Sequence, residues 1–167
     1  MRFDKRSKIE KAASSEDFPY ASTSVRFEPD KSRLIATDGR ILAIVPCEPE
    51  PDDAAGQIQP QAFATARKLT PRHSEPRIGA NSKIEFVDGS TLPRLEDVRF
   101  PEVDGVVPTG KASVTFGLNV ALLSRLAAAL GTETVRIEFV DDGLPLRVSP
   151  IEGVPGARGL IMPLKEH

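Results

Sequence analysis

The chain has 167 residues, 40% hydrophobic and 28% charged, with a formal net charge of −2. That length supports one domain or one and a half with a real core, and the charge balance excludes a global basic field acting on nucleic acid or anionic membrane. Cys47 is the only cysteine, which excludes an intrachain disulfide and a Cys-based metal cage and suits a reducing, cytoplasmic setting.

The N-terminal run MRFDKRSKIEK is charged and has no apolar h-region, and no apolar run approaches bilayer length, so neither a secretory signal nor a membrane partner is expected. Fifteen prolines and twelve glycines punctuate the chain and favour many short strands over long helices. Residues 6–14, RSKIEKAAS, read as a short helix with Ile9, Ala12 and Ala13 on one face. Strands follow at 22–28, 33–37 and 40–46. Between the last two lies ATDGRILA, where Asp38-Gly39 predicts a two-residue type I′ hairpin turn. That reading accounts for the turn but not for the polar Thr37 and Arg40 beside it.

The acidic stretch EPEPDDAAG, 48–56, reads as a connector. A short strand in QIQP and a short helix in QAFATARKL come next. Strands are expected at 77–79, 83–87 and 91–96, with Asp88-Gly89 as a second hairpin signal. Residues 97–111 form an irregular connector. SVTFG then reads as a strand. NVALLSRLAAAL is the best helix, with Val120, Leu123, Leu126, Ala127 and Leu130 at helical spacing, Asn119 as N-cap and Gly131 at its stop. VRIEFV, LPLRVS and GLIMPL complete the chain as strands.

One pattern thus occurs three times, over about 1–47, 57–96 and 112–164: a short strand, a helix, then three strands. Only the pattern repeats, not the sequence. Each unit is too small to bury a core alone, so the units should pair into an α+β protein with antiparallel sheets.

Catalytic chemistry is sparse. His73 lies in the loop TPRHSEP and His167 ends the chain; no GxSxG, P-loop or GxGxxG is present. Asp52-Asp53 and Asp141-Asp142 read as turn residues, and no zinc or EF-hand spacing appears, so no metal or cofactor is expected. Positive charge marks every expected helix: Lys5, Arg6, Lys8 and Lys11 at the first, Arg67, Lys68 and Arg72 at the second, Arg125 on the third. Solvated helix faces explain this, and sequence pattern alone favours that reading; the other reading aims the helices at a phosphate backbone. The end GLIMPLKEH is either a proline-marked edge strand or the wall of an adaptable apolar groove.

Three segments together resemble the bacterial DNA polymerase III β sliding clamp family. ATDGRILA at 36–43 is similar to that family's ATDGHRLA, RFPEVDGVVP at 99–108 to its RFPDYRRVLP connector, and GLNVALLSRLAAAL with ETVRIEFVDDGLPLRV and GLIMPLK to its final helix and strands. The order also matches. The resemblance implies a DNA-clamp-like fold of three βαβββ units with short helices on one face. It implies a two-unit domain at 1–98, a connector at 99–111 and a half-domain at 112–167. It further implies a non-catalytic, cytoplasmic accessory of DNA replication or repair. Partner proteins would insert a short apolar peptide into a groove lined by Thr37, Gly39, Arg40 and Leu42, by Pro101 and Val106, and by Asn119, Leu122, Leu146, Leu160, Met162, Pro163 and Leu164. The eight helix-borne cations would face duplex DNA without sequence preference, inside a homo-oligomeric ring that needs four such shortened chains. Arg40-Ile41 stands where the family has His-Arg, Leu122 where it has an aromatic and Gly105 where it has Arg, so partner preference is expected to differ. Two rivals remain: a ring-less interaction module that acts as decoy or regulator of clamp-binding proteins, and a small enzyme on the same scaffold, which the shortage of His and Cys disfavours.

Overall fold

Short apolar runs broken by glycine and proline become short antiparallel strands. The computed structural model describes residues 1–16, 22–96, 98–141 and 143–164, and the chain divides into two units, Met1–Val107 and Pro108–His167. Residues 99–107 of the expected connector therefore belong with the first unit. Asp142 and His167 lie outside the described residues.

In the first unit the order is β1 (Arg2–Phe3), a 3-10 helix (Ile9–Ala12), β2 (Val25–Glu28), β3 (Arg33–Thr37), β4 (Leu42–Glu48), β5 (Gly56–Ile58), α1 (Pro60–Leu69), β6 (Gly79–Ala80), β7 (Lys83–Glu85) and β8 (Thr91–Pro93). Five strands form one antiparallel sheet in the order β1-β4-β3-β2-β5, and β6-β7-β8 form another. Alternation decides what is buried. On β2, Val25 and Phe27 are fully buried, whereas Arg26 and Glu28 reach the surface. Their core continues through Leu34, Ile58, Phe63, Ile78 and Ile84. Phe3 meets Phe63 edge to face, with ring centroids 5.3 Å apart.

The two halves of this unit interlock through their leading strands. β1 pairs with β4 of its own half, and on its other side with the 76–78 backbone: Phe3 N donates to Pro76 O at 3.2 Å and Ile78 N to Met1 O at 3.0 Å. β5 leads the second half. It pairs antiparallel with β2 of the first half, while Leu95 N, at the end of its own half, donates to Gln57 O at 3.4 Å. The Met1 ammonium is buried in the same seam, 2.7 Å from Ile78 O and 2.5 Å from the Asp53 carboxylate. Burial pushes the Asp53 carboxyl up, but the ammonium and the Glu50 and Ala80 amides outweigh it and hold its pKa below the ordinary value.

The second unit holds α2 (Val120–Ala129), β9 (Val135–Glu138), β10 (Leu146–Pro150) and β11 (Gly159–Ile161), with sheet order β11-β10-β9. Its buried core is small: Leu130, Leu146, Val148 and Ile161. Asn119 caps α2, its side-chain oxygen accepting from the Ala121 and Leu122 amides at 3.0 and 3.3 Å. Gly131 ends the helix in the left-handed region, φ 67°.

The protein is α+β with antiparallel sheets, and three local expectations change. The first helix is one 3-10 turn over Ile9–Ala12 rather than a helix over 6–14. Lys8, at its N-cap, supplies no side-chain acceptor, so nothing offsets the cost of nucleating a longer helix. SVTFG is not a strand; only Gly117 bridges, to Leu164. The turn at Asp38-Gly39 is not of type I′. Thr37 pairs with Leu42, so the loop spans four residues, and only Gly39 has positive φ, 84°.

Candidate functional site

The 38–41 loop owes its shape to two short polar side chains. Thr37 Oγ1 donates to Ile41 O at 2.7 Å and accepts from Gly39 N at 3.1 Å. Asp38 Oδ1 accepts from the Arg40 and Ile41 amides at 2.9 and 2.8 Å, and these bonds to the charged form lower its pKa. The Thr and Asp side chains thus make the backbone bonds that a two-residue turn would otherwise supply. The loop holds Arg40 exposed and Ile41 53% exposed, while Thr37 is buried.

Against this hairpin lies the 101–106 segment. Thr37, Gly39, Arg40, Ile41 and Leu42 on one side, and Pro101, Glu102, Val103 and Val106 on the other, line a recess of about 310 Å³ within the first unit. Val103 is buried and anchors the segment; Val106 is 67% exposed. Asp104 fixes it from outside, 2.5 Å from both Lys31 Nζ and an Arg33 guanidinium nitrogen. Glu28 completes the network, 2.7 Å from Arg33. The Lys31 ammonium first, and the Arg33 guanidinium second, hold the Asp104 carboxyl down at about 2. Arg26 lies over the Phe100 ring at 5.7 Å, a second tie on the same segment. Ile41, Glu102 and Val103 were not expected in the recess. An apolar residue inside a hairpin loop was the available signal for Ile41. Nothing in RFPEVDGVVP distinguishes the buried valine from the exposed ones.

The remaining expected groove residues belong to the second unit. Leu160, Met162 and Leu164 are 66%, 56% and 55% exposed, Leu122 is exposed, Pro163 is half-buried, and Asn119 is engaged as the α2 cap. Leu164 is tied to Gly117, whose carbonyl accepts from its amide at 2.8 Å. Leu146 is fully buried in the small core against which Leu123 and Leu126 pack. It supports the sheet and offers no surface to a ligand.

The first-unit cations fall near one another, because the 3-10 helix packs on α1. Several are already engaged. Arg67 pairs with Glu10 and donates to Ser7 O at 2.9 Å. Lys5 donates to Thr70 O and Pro71 O at 3.2 and 3.0 Å. Arg6 forks onto Asp4, which holds the Asp4 carboxyl at about 2. Lys8, Lys11, Lys68 and Arg72 are exposed, as is Arg125 in the second unit.

Burial pushes the Cys47 thiol up to about 11, so it is protonated at neutral pH and a poor nucleophile. Among the described residues no group of three His, Cys, Asp or Glu side chains could hold a metal ion, and no helix is long and apolar enough to cross a membrane. The chain matches no protein-family model and no curated protein.

Proposed function

We propose that this chain is a non-catalytic, DNA-clamp-like accessory protein that captures a short apolar peptide from replication or repair partners. The observation that carries this reading is the hairpin–connector recess: an apolar floor, an exposed Ile41 and Val106 at its rim, and a wall locked by Asp104. Extended peptides with large apolar side chains suit such a site, since preformed walls lower the ordering cost of binding. The exposed Leu160, Met162 and Leu164 supply a second apolar surface of adaptable side chains. On this reading the chains assemble into a homo-oligomeric, cytoplasmic ring, and Lys8, Lys11, Lys68, Arg72 and Arg125 contact duplex DNA through phosphates alone, weakening steeply with salt.

The test is a fluorescence-anisotropy titration of labelled short Leu- and Phe-containing peptides. Leu42→Ala and Met162→Ala should each lower affinity about tenfold, as expected when a side chain worth about 1.4 kcal/mol is truncated, with circular dichroism unchanged. Equal affinity in a folded Leu42→Ala/Met162→Ala double variant would sink both surfaces as peptide sites.

The ring-less module is the second reading, and the engagement of Lys5, Arg6 and Arg67 within the fold favours it. It keeps the recess and gives up the DNA contact. Retention on circular duplex DNA separates the two.

A further inference from the structure

Each half of the first unit obeys one pairing rule. The leading strand lies between the last strand region of its own half and the first sheet strand region of the other half. β1 lies between β4 and the 76–78 backbone, and β5 lies between Leu95 and β2. The second unit satisfies only half of this rule. Its leading segment, 113–117, meets the end of its own half, where Leu164 N donates to Gly117 O at 2.8 Å, as Leu95 N donates to Gln57 O. The position is equivalent: Gln57 stands three residues before the first residue of α1, Pro60, and Gly117 three before that of α2, Val120. On the other side of 113–117 no strand is present among the described residues, and Val114 and Phe116 are 47% and 39% exposed.

The matching acceptor is also open. β9 reads Val-Arg-Ile-Glu and β2 reads Val-Arg-Phe-Glu. In β2 the inward Val25 and Phe27 are fully buried, with β5 on the strand's outer edge. β9 pairs with β10 alone, and Val135 and Ile137 stay half-exposed. Beside β9 the flank of α2 leaves a groove of about 700 Å³ between Val120, Ser124, Ala128 and Val135.

We propose that two copies of this chain pair through their Pro108–His167 units, the 113–118 segment of each adding antiparallel to the β9 edge of the other. The donor segment lies at the β11 end of the sheet, tied to Leu164, and the acceptor edge is β9 at the other end. A twofold contact that pairs each with its complement on the second copy closes on itself and leaves neither edge open, as the two halves of the first unit do. The second copy is favoured as occupant because the 113–118 segment is uncharged, so no like charge opposes Arg136 or Glu138. The register of β2 with β5 sets Val25 opposite Ile58, Arg26 opposite Gln57 and Phe27 opposite Gly56. Transferred, it sets Val135 opposite Leu118 of the second copy, Arg136 opposite Gly117, Ile137 opposite Phe116 and Glu138 opposite Thr115. This inference stands on strand register and does not depend on the peptide reading.

Sedimentation equilibrium across the micromolar range should give a mass of at least twice the 18.1 kDa of one chain, and about four times it where two such pairs close the proposed ring. Thr115→Cys with Glu138→Cys should oxidise to a covalent dimer that reductant reverses, because directly opposed residues lie within disulfide reach. Ser113→Cys with Glu138→Cys, two residues out of register, should not. Ser124→Glu with Ala128→Glu, both on exposed positions, should at least halve that mass with an unchanged circular dichroism spectrum. A single-chain mass at every concentration would overturn the proposal. So would cross-linking without register preference, or a dimer indifferent to the two glutamates. Leu42→Ala should leave the mass unchanged, so a monomer that still binds peptide would refute this pairing and spare the recess.

Discussion

Asp104 sits between Lys31 and Arg33, and both cations favour its charged form, which is why its carboxyl titrates near 2. A depressed folded-state pKa stabilises the anchored connector above the ordinary carboxylate range, and that contribution fades as pH falls through about 2. Hydrogen exchange at the Val106 amide, which donates to Val103 O at 3.1 Å, reads this directly. Protection should fall as pH drops from about 4 towards about 2, and Asp104→Asn should lower protection at neutral pH and remove that pH dependence. An unchanged exchange profile in Asp104→Asn would show that Val103 burial alone holds the connector. The sequence did not point to Asp104, because its partners are 71 and 73 residues away and no local pattern encodes such a pairing. Asn119 was legible for the opposite reason: an N-cap acts on amides two and three residues on.

At the scale of elements, the hairpin was readable and its loop was not. Apolar β-prone runs flanking Asp-Gly fix the existence of a turn. The loop length depends on whether Thr37 and Asp38 spend their side chains on the backbone, and both do. Likewise β2 and β9 carry almost the same four residues yet differ in burial, since burial depends on the neighbour at the strand edge, not on the strand. The first helix shortened to one 3-10 turn because apolar spacing marks a buried face without specifying length. The packing of this turn against α1 rests on the core beneath it. Phe63 is fully buried and edge-on to Phe3, so Phe63→Ala should cost about 3–5 kcal/mol in urea denaturation of the chain. A loss under about 1 kcal/mol would mean that the site collapses freely and that the two halves of the first unit are not coupled through it.

For the whole molecule, the repeated pattern of strand, helix and three strands anticipated the short antiparallel sheets, although the third copy has no leading strand among the described residues. In Met1–Val107 two such halves share one core of large buried side chains; in Pro108–His167 one half carries, among the described residues, four buried apolar residues and many exposed ones. A low average charge hid the distribution that matters, with exposed lysines beside the 3-10 helix and α1 and almost no charge on α2. The proposed peptide capture rests on the recess. The most direct measurement is an amide-shift titration of the isotope-labelled 18.1 kDa chain with a Leu- and Phe-containing peptide. The account predicts saturable shifts at 37–42 and 101–106, the two walls of the recess. Shifts clustered on α1 or spread without saturation would contradict it.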